Sequence, residues 1–370
     1  MKILKLQRGL FSGVSRALME AWKAKSPDDV IESCDLDDGY FDNTSDKLKA
    51  LPELVKASMS MGFKEARRSY RQIALRSRTN LTRLEQVVGE AVRGRSFDCT
   101  LTIQTLMPAP PTDKPNFVYT DHAILTNNYY PDGQAAIDRW RDWLPMERAL
   151  IEKAALVFTM STHVGDSLVE FYHIPKERVR LVGAGFNARR ADVNFDSVEH
   201  SKKILFVGLD WERKGGPQLV EAFAGVREKH PDANLIVVGC EPEVKVPGVQ
   251  VLGVVPIERV GELMSDACCF CMPSLREPFG LVYLEAMNAG LPVVALNLGA
   301  PRDFVVNGET GFLVEPHDIP GLAGALENLV ANSKLCAMMG KRARDRVSAE
   351  YTWEVTQARM AKAMREVMGS

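Results

Sequence analysis

The chain predicts an α/β fold of two Rossmann-like domains, and three observations carry that expectation. Its 370 residues exceed the size at which one hydrophobic core keeps growing, so two cores are expected. In the C-terminal half, short apolar runs alternate with helical patterns and glycine punctuates the junctions, the pattern of a parallel, doubly wound sheet. The N-terminal half repeats the alternation more loosely.

In the first half a short strand over residues 1–6 leads past Gly9 and Gly13 into a helix that runs through Trp22. Further strands are expected at 97–104, 116–119, 156–160 and 179–182, where β-branched and aromatic residues cluster. A helix ends near Ala155, and Ser161 or Thr162 caps the next one. Residues 35–95 are rich in helix formers and show no clear strand. Strands of the second half are expected at 204–208, 234–239, 249–254, 268–273 and 292–296, with Pro217 and Pro256 at helix starts, where a missing N–H costs nothing. The polar stretch after Gly183-Ala-Gly185-Phe-Asn187 reads as a hinge. The expected division is therefore 1–187 for the first domain, 188–201 for the hinge and 202–352 for the second domain. A final helix at 353–370 is expected to cross back to the first.

Composition narrows the function classes. With 46% apolar and 25% charged residues the chain is of ordinary globular make-up, and a net charge of −2 argues against a dedicated nucleic-acid binder. Residues 1–10 lack the apolar core of a signal peptide and no later stretch is long enough to span a bilayer. The expected location is cytoplasmic, at most peripheral at the inner face of a membrane. Seven cysteines, an odd number scattered through a long chain, fit reduced thiols. Cys268, Cys269 and Cys271 invite a metal reading, but they lie in an apolar run that reads as a buried strand, without metal-site spacing. No metal ligand and no cofactor is expected.

The informative stretch is Ser274-Leu-Arg-Glu277-Pro-Phe-Gly280-Leu-Val-Tyr-Leu-Glu285. A strand delivers the chain to Ser274, a Pro/Gly turn follows, and a helix begins near Gly280. A helix N-terminus at the carboxyl end of a parallel strand offers unpaired N–H groups and a positive dipole end to a phosphate. Glu277 precedes this helix, and Glu285 lies roughly 8 Å further along its axis at 1.5 Å per residue. With a diphosphate near the amides of Phe279, Gly280 and Leu281, Glu285 is placed to accept from a ribose diol and Glu277 to face a sugar. Taken alone, each glutamate reads equally as a helix-terminus carboxylate or a solvated helix face. A second segment adds weight. After the strand ending at Gly208 comes Leu209-Asp-Trp-Glu-Arg213-Lys214-Gly215-Gly216, which puts two cations and two close-approach glycines at another helix start.

Glu277 and Glu285 form a Glu-x7-Glu pattern. Together with Gly208, Arg213, Lys214 and Asn307-Gly-x-Thr-Gly311-Phe-Leu-Val, it resembles glycosyltransferase family 4, a large retaining family of GT-B architecture. The similarity covers about residues 150–370, with Phe171-Tyr-His-Ile-Pro-Lys-Glu-Arg-Val-Arg-Leu-Val-Gly183 resembling the end of the family's first domain. Residues 1–120 match only loosely. The resemblance implies two parallel sheets facing across a cleft and a donor that is a nucleoside-diphosphate sugar. Arg213 and Lys214 would hold the diphosphate and Glu285 the ribose, while Glu277 with the Phe279–Leu281 amides would hold the transferred sugar. It further implies a glycan or glycolipid acceptor, no required metal and no obligatory covalent nucleophile. His122, in Tyr119-Thr-Asp121-His122, resembles the family's histidine at the sugar, and Gly13 stands where the family has a glycine-rich first loop. Here that loop reads Phe11-Ser12-Gly13, a departure from the usual paired glycines.

Other features admit two readings. Lys64, Arg67, Arg68, Arg71, Arg76, Arg78 and Arg83 face only Glu65, which suits either a peripheral membrane contact or a solvated helix face. Trp140, Trp143 and Leu144 read as core packing or an interfacial helix, and Tyr129 and Tyr130 as packing or a platform for an acceptor sugar. Asp35-Leu36-Asp37 has the form of a metal-holding Asp-x-Asp but follows no convincing strand. A non-catalytic nucleotide-sugar sensor or a sugar-nucleotide epimerase are the alternative functions.

Overall fold

The computed structural model describes residues 1–9, 13–36, 78–187 and 201–369, with Pro52 and Val55 as isolated helical positions. Asp37, the basic residues from Lys64 to Arg76, Phe11, Ser12 and hinge residues 188–200 lie outside this set. The chain divides into two compact units, Met1–Val182 with Gln357–Ser370, and Gly183–Thr356.

The first unit is built on β1 (Lys2–Gln7), β2 (Val30–Asp35), β3 (Cys99–Ile103), β4 (Asn116–Thr120), β5 (Leu156–Thr159) and β6 (Val179–Leu181). They form one parallel sheet in the order β2-β1-β3-β4-β5-β6. β3, β4 and β5 are buried at every position, as expected of central parallel strands covered on both faces. The helices are α1 (Val14–Lys25), α2 (Arg78–Val92), α3 (Gly133–Arg139), α4 (Leu144–Lys153) and α5 (Thr162–Glu170). Val118, Leu150, Ile151, Val157, Leu168 and Tyr172 form one core cluster, while Leu4, Leu6, Val88 and Met107 form another.

The strand β2 is an addition to the elements expected. Its residues pair one for one with β1 from Lys2 with Val30 to Gln7 with Asp35. Only edge position explains how so polar a run joins the sheet: its residues are exposed or half-buried, so apolar alternation is not demanded of it.

The second unit carries β7 (Lys203–Val207), β8 (Asn234–Val238), β9 (Val249–Gly253), β10 (Cys269–Cys271), β11 (Val293–Leu296) and β12 (Gly311–Val314). They too form a parallel sheet, ordered β12-β11-β10-β7-β8-β9. Its helices are α6 (Gly216–Lys229), α7 (Ile257–Asp266), α8 (Leu281–Asn288), α9 (Pro301–Phe304), α10 (Ile319–Ala331), α11 (Ser333–Glu350) and the start of α12 (Trp353–Met368). Cys269 and Cys271 are fully buried members of β10, and burial pushes the Cys271 thiol well above its ordinary range. Pro217 stands in the first turn of α6 and Pro256 caps α7.

In both sheets the chain leaves the first strand toward one side and returns on the other. The reversals fall between β1 and β3, and between β7 and β10, and ligands of doubly wound sheets bind at the carboxyl ends of such strands. Most of α12 clusters with the first unit. There Gln357 Nε2 donates to Ser26 Oγ at 2.9 Å, Arg359 to the Val182 carbonyl at 3.1 Å and Arg365 to Asp29 at 3.0 Å. Among the described residues no helix is long and apolar enough to cross a membrane.

Candidate active site

Two loops meet at the carboxyl ends of β7 and β10. The first runs from Gly208 to Gly215 and is wound into tight turns by Lys214 N–H to the Asp210 carbonyl at 3.0 Å and Gly216 N–H to the Trp211 carbonyl at 2.9 Å. Asp210 also accepts from the Arg213 backbone at 3.3 Å and from Arg213 Nε at 3.2 Å, which aims the guanidinium. An aspartate three residues before an arginine in a turn is a signal visible in the sequence, yet Asp210 is absent from the residues expected at the site. Gly215 ends the loop in the left-handed region at φ +76°, where a side chain would also collide with the Pro273 carbonyl of the second loop. Glycine is required there for both reasons.

The second loop, from Met272 to Gly280, is stitched to the first. Leu275 N–H donates to the Arg213 carbonyl at 3.0 Å, Ser274 Oγ to the same carbonyl at 3.3 Å, and Arg213 Nη1 to the Arg276 carbonyl at 2.5 Å. These bonds carry Glu277 onto the two cations: its Oε2 lies 2.9 Å from Lys214 Nζ, 3.7 Å from Arg213 Nη1 and 3.4 Å from Ser274 Oγ. The Glu277 and Lys214 side chains are only 9% and 13% exposed, whereas Arg213 keeps 28%. Coulombic attraction at this depth is less screened than at the surface, so the three groups act as one unit.

Gly280 caps α8 in the left-handed region at φ +84°, without a side-chain cap. The first-turn N–H groups, including that of Leu281, therefore have no side-chain acceptor within the helix cap and point toward the loop end. The Phe279 ring is anchored in the core, 5.8 Å from Phe304 centre to centre, and Tyr283 OH donates to the Met272 carbonyl at 2.6 Å. Packing thus fixes the helix end relative to β10. Glu285, one turn in, is half-buried; burial raises its carboxyl above the ordinary value and a hydrogen bond from the Asn187 backbone opposes the rise. Asn187 Oδ1 in turn accepts from Trp353 Nε1 at 3.0 Å. The structure brings Arg213, Lys214, Glu277 and the start of α8 together, with Gly208 directly under the Lys214 stem.

The remaining expected residues lie in the first unit. His122 follows β4; its N–H reaches Thr120 Oγ1 at 3.2 Å and its Nε2 lies 3.0 Å from Asn127 Nδ2. Gly13 caps α1 at φ +73° and borders a cavity of about 450 Å³ with Lys5, Gln7, Ser15 and Asp35. Burial lowers the Lys5 amine, and Asp35, 3.9 Å away, opposes this. Tyr130 is buried, with its hydroxyl 3.0 Å from His163 Nε2, so it serves packing and is no sugar platform. Tyr129 donates to Glu170 at 2.6 Å. Trp143 is buried and donates to the Thr105 carbonyl at 3.4 Å, which settles its face as core.

Residues 189–346 match the protein family described as Glycosyl transferases group 1. The chain carries a glycosyltransferase domain. Both loops of the site fall within that domain. A glycogen synthase of Mycobacterium tuberculosis is 26% identical over 222 residues, covering 56% of this chain and 53% of that protein, about half its length. A D-inositol 3-phosphate glycosyltransferase of Corynebacterium jeikeium is 28% identical over 282 residues, covering 68% and 67%. Among solved structures, Anabaena HepE in complex with UDP and glucose superposes with a TM-score of 0.63 at 16% identity, covering 99% of this chain and 100% of that one. This last likeness is one of fold, and it is the two-domain GT-B class expected from the sequence.

Proposed function

We propose that the chain is a retaining glycosyltransferase of the family 4 kind, which transfers a hexose-type sugar from a nucleoside-diphosphate sugar to a glycan or glycolipid acceptor without a required metal ion. The observation that carries this reading is the buried Lys214–Glu277 pair beside Arg213 at the uncapped start of α8. A diphosphate leaving group gains charge as the glycosidic bond breaks. Lys214, Arg213 and the α8 N-terminus supply positive charge already in place, so little reorganisation is needed when that charge develops. Removing one such donor typically lowers kcat by roughly a hundredfold or more.

Glu277 serves two ends in this reading. Its carboxylate holds Lys214 in position before donor arrives, then accepts hydrogen bonds from hydroxyls of the transferred sugar. Glu285 accepts from the ribose. Attack by the acceptor on the face the diphosphate leaves retains configuration, and no residue is assigned as a covalent nucleophile. His122 contributes at the sugar. The UDP and glucose bound to HepE support a nucleotide-sugar donor, and the glycogen synthase and D-inositol 3-phosphate glycosyltransferase relatives support sugar transfer. Action at the cytoplasmic face, in cell-surface polysaccharide or glycolipid assembly, completes the proposal.

The test is a thermal-shift screen of uridine, guanosine and adenosine diphosphates and their sugars, with EDTA present, followed by hydrolysis and transfer assays on the donors that stabilise. A ligand at a hundred times its Kd adds about 2.7 kcal/mol of stability, a readily measured shift. No shift with any nucleotide sinks the donor assignment. Binding with hydrolysis and transfer at background across the panel replaces the enzyme by a nucleotide-sugar sensor.

A further inference from the structure

Glu285 is half-buried on α8, so a ligand can reach it, and the Asn187 backbone N–H donates a hydrogen bond to its carboxylate. A carboxylate accepts at two oxygens. One N–H therefore orients the group and leaves acceptor positions for a ligand diol. That N–H belongs to Gly183–Asn187, the first residues of the second unit, which form neither helix nor strand. No ladder of backbone bonds fixes where its N–H groups point.

Trp353 supplies the anchor. Its indole Nε1–H donates to Asn187 Oδ1 at 3.0 Å, and the residue is only 6% exposed, so packing holds the ring in place. Two residues before Asn187, a Cβ on Gly185 would sit 2.3 Å from the Trp353 backbone nitrogen and 2.7 Å from its Cγ. Glycine thus lets the segment lie directly against the start of α12. The indole bond joins residues 166 positions apart, near the two ends of the second unit. Asn187 itself is exposed. Water is available to its amide in place of the indole, so the bond contributes position more than stability.

We propose that Asn187 and Trp353 are positioning residues for nucleotide binding: the indole holds Asn187, and the Asn187 N–H aims the Glu285 carboxylate at the ribose diol. The inference rests on the glycosyltransferase reading, in which Glu285 accepts from the ribose, and it adds two residues that lie outside both site loops.

Asn187→Ala removes the acceptor of the indole N–H, and Trp353→Phe removes the donor while keeping a ring. Calorimetry on the full chain measures UDP, GDP and ADP and their 2′,3′-dideoxy counterparts, which lack the diol. Each variant is expected to weaken the ribonucleotide about fivefold and the dideoxy form less than about twofold. The double variant is expected to bind no more weakly than the weaker single one, because both substitutions remove the same bond. Equal loss on both forms overturns the proposal, since the two residues then shape the site without acting through the ribose. Unchanged ribonucleotide affinity overturns it, and so does a wild type that binds both forms alike. Should Trp353→Phe not fold, Asn187→Ala, at an exposed position, decides alone. A wild type that binds none of the nucleotides overturns the donor assignment itself, whereas wild-type discrimination matched by the variants removes only the role of Asn187 and Trp353.

Discussion

Lys214 and Arg213 share one carboxylate, and that sharing sets what substitution does. Arg213→Ala removes a charge-assisted contact and is expected to weaken nucleoside-diphosphate binding about tenfold to a hundredfold, measured by calorimetry. Unchanged affinity would mean the guanidinium serves only to hold the Arg276 carbonyl. Glu277→Gln keeps a hydrogen-bond acceptor for Lys214 but frees both cations of a competing charge. Nucleotide affinity is therefore expected to hold or rise while turnover falls by about a hundredfold or more. Near-normal transfer by this variant would remove the carboxylate from the chemistry. Glu285 adds a pH signature. Because burial raises its carboxyl above 4.5 in the folded state, its ionised form costs stability above the folded value, and that cost fades as pH falls toward 4.5. Glu285→Gln, still able to accept from Asn187, is expected to melt above the wild type at pH 8 with the gap closing near pH 4.5. A gap that ignores pH would locate the effect elsewhere than in ionisation.

The loop after β4 is held less by its own sequence than by α4. Buried Glu147 accepts from Thr105 Oγ1 at 2.6 Å and from the Ile124 N–H at 2.9 Å, and it also bonds the Tyr172 hydroxyl. The hydroxyl itself accepts from the Leu125 N–H at 3.2 Å. One carboxylate thus secures the start of the short 3-10 turn Ile124–Tyr129 that carries Asn127 beside His122. Glu147→Ala strands several buried polar groups and is expected to cost about 3 kcal/mol in urea unfolding. A loss under 1 kcal/mol would show that water replaces the carboxylate freely. The legibility of elements follows burial in the same way. β3, β4 and β5 are buried on both sides and announce themselves as apolar runs, whereas β2 is a polar edge strand recognisable only by its pairing with β1. β12, Gly311–Val314, lies at the edge of the second sheet and reads from sequence merely as part of a motif. Glu147 was invisible for a related reason: an isolated glutamate on a helix reads as solvent-facing until its partners, 23 to 42 residues away, are known.

Each unit has its own parallel sheet and its own buried core, so each has the means to unfold as a cooperative body. The site loops all belong to the second unit. A nucleoside diphosphate is therefore expected to slow amide hydrogen exchange at residues 208–216 and 272–285 while leaving β1 and β2 unchanged. Equal protection in both units would place the nucleotide elsewhere. The sequence carries the α/β class, five of the six parallel strands in each half and the segments that bear Arg213, Lys214, Glu277 and Glu285. It could do so because periodicity, glycine positions and local charge are properties of neighbouring residues. The tertiary structure alone decided that the Gly208 and Met272 loops are stitched together, that Glu277 is buried against Lys214, and that Tyr130 and Trp143 belong to the core. These depend on residues tens of positions apart meeting across a sheet, where hydrogen bonding and desolvation, and not local pattern, set the outcome.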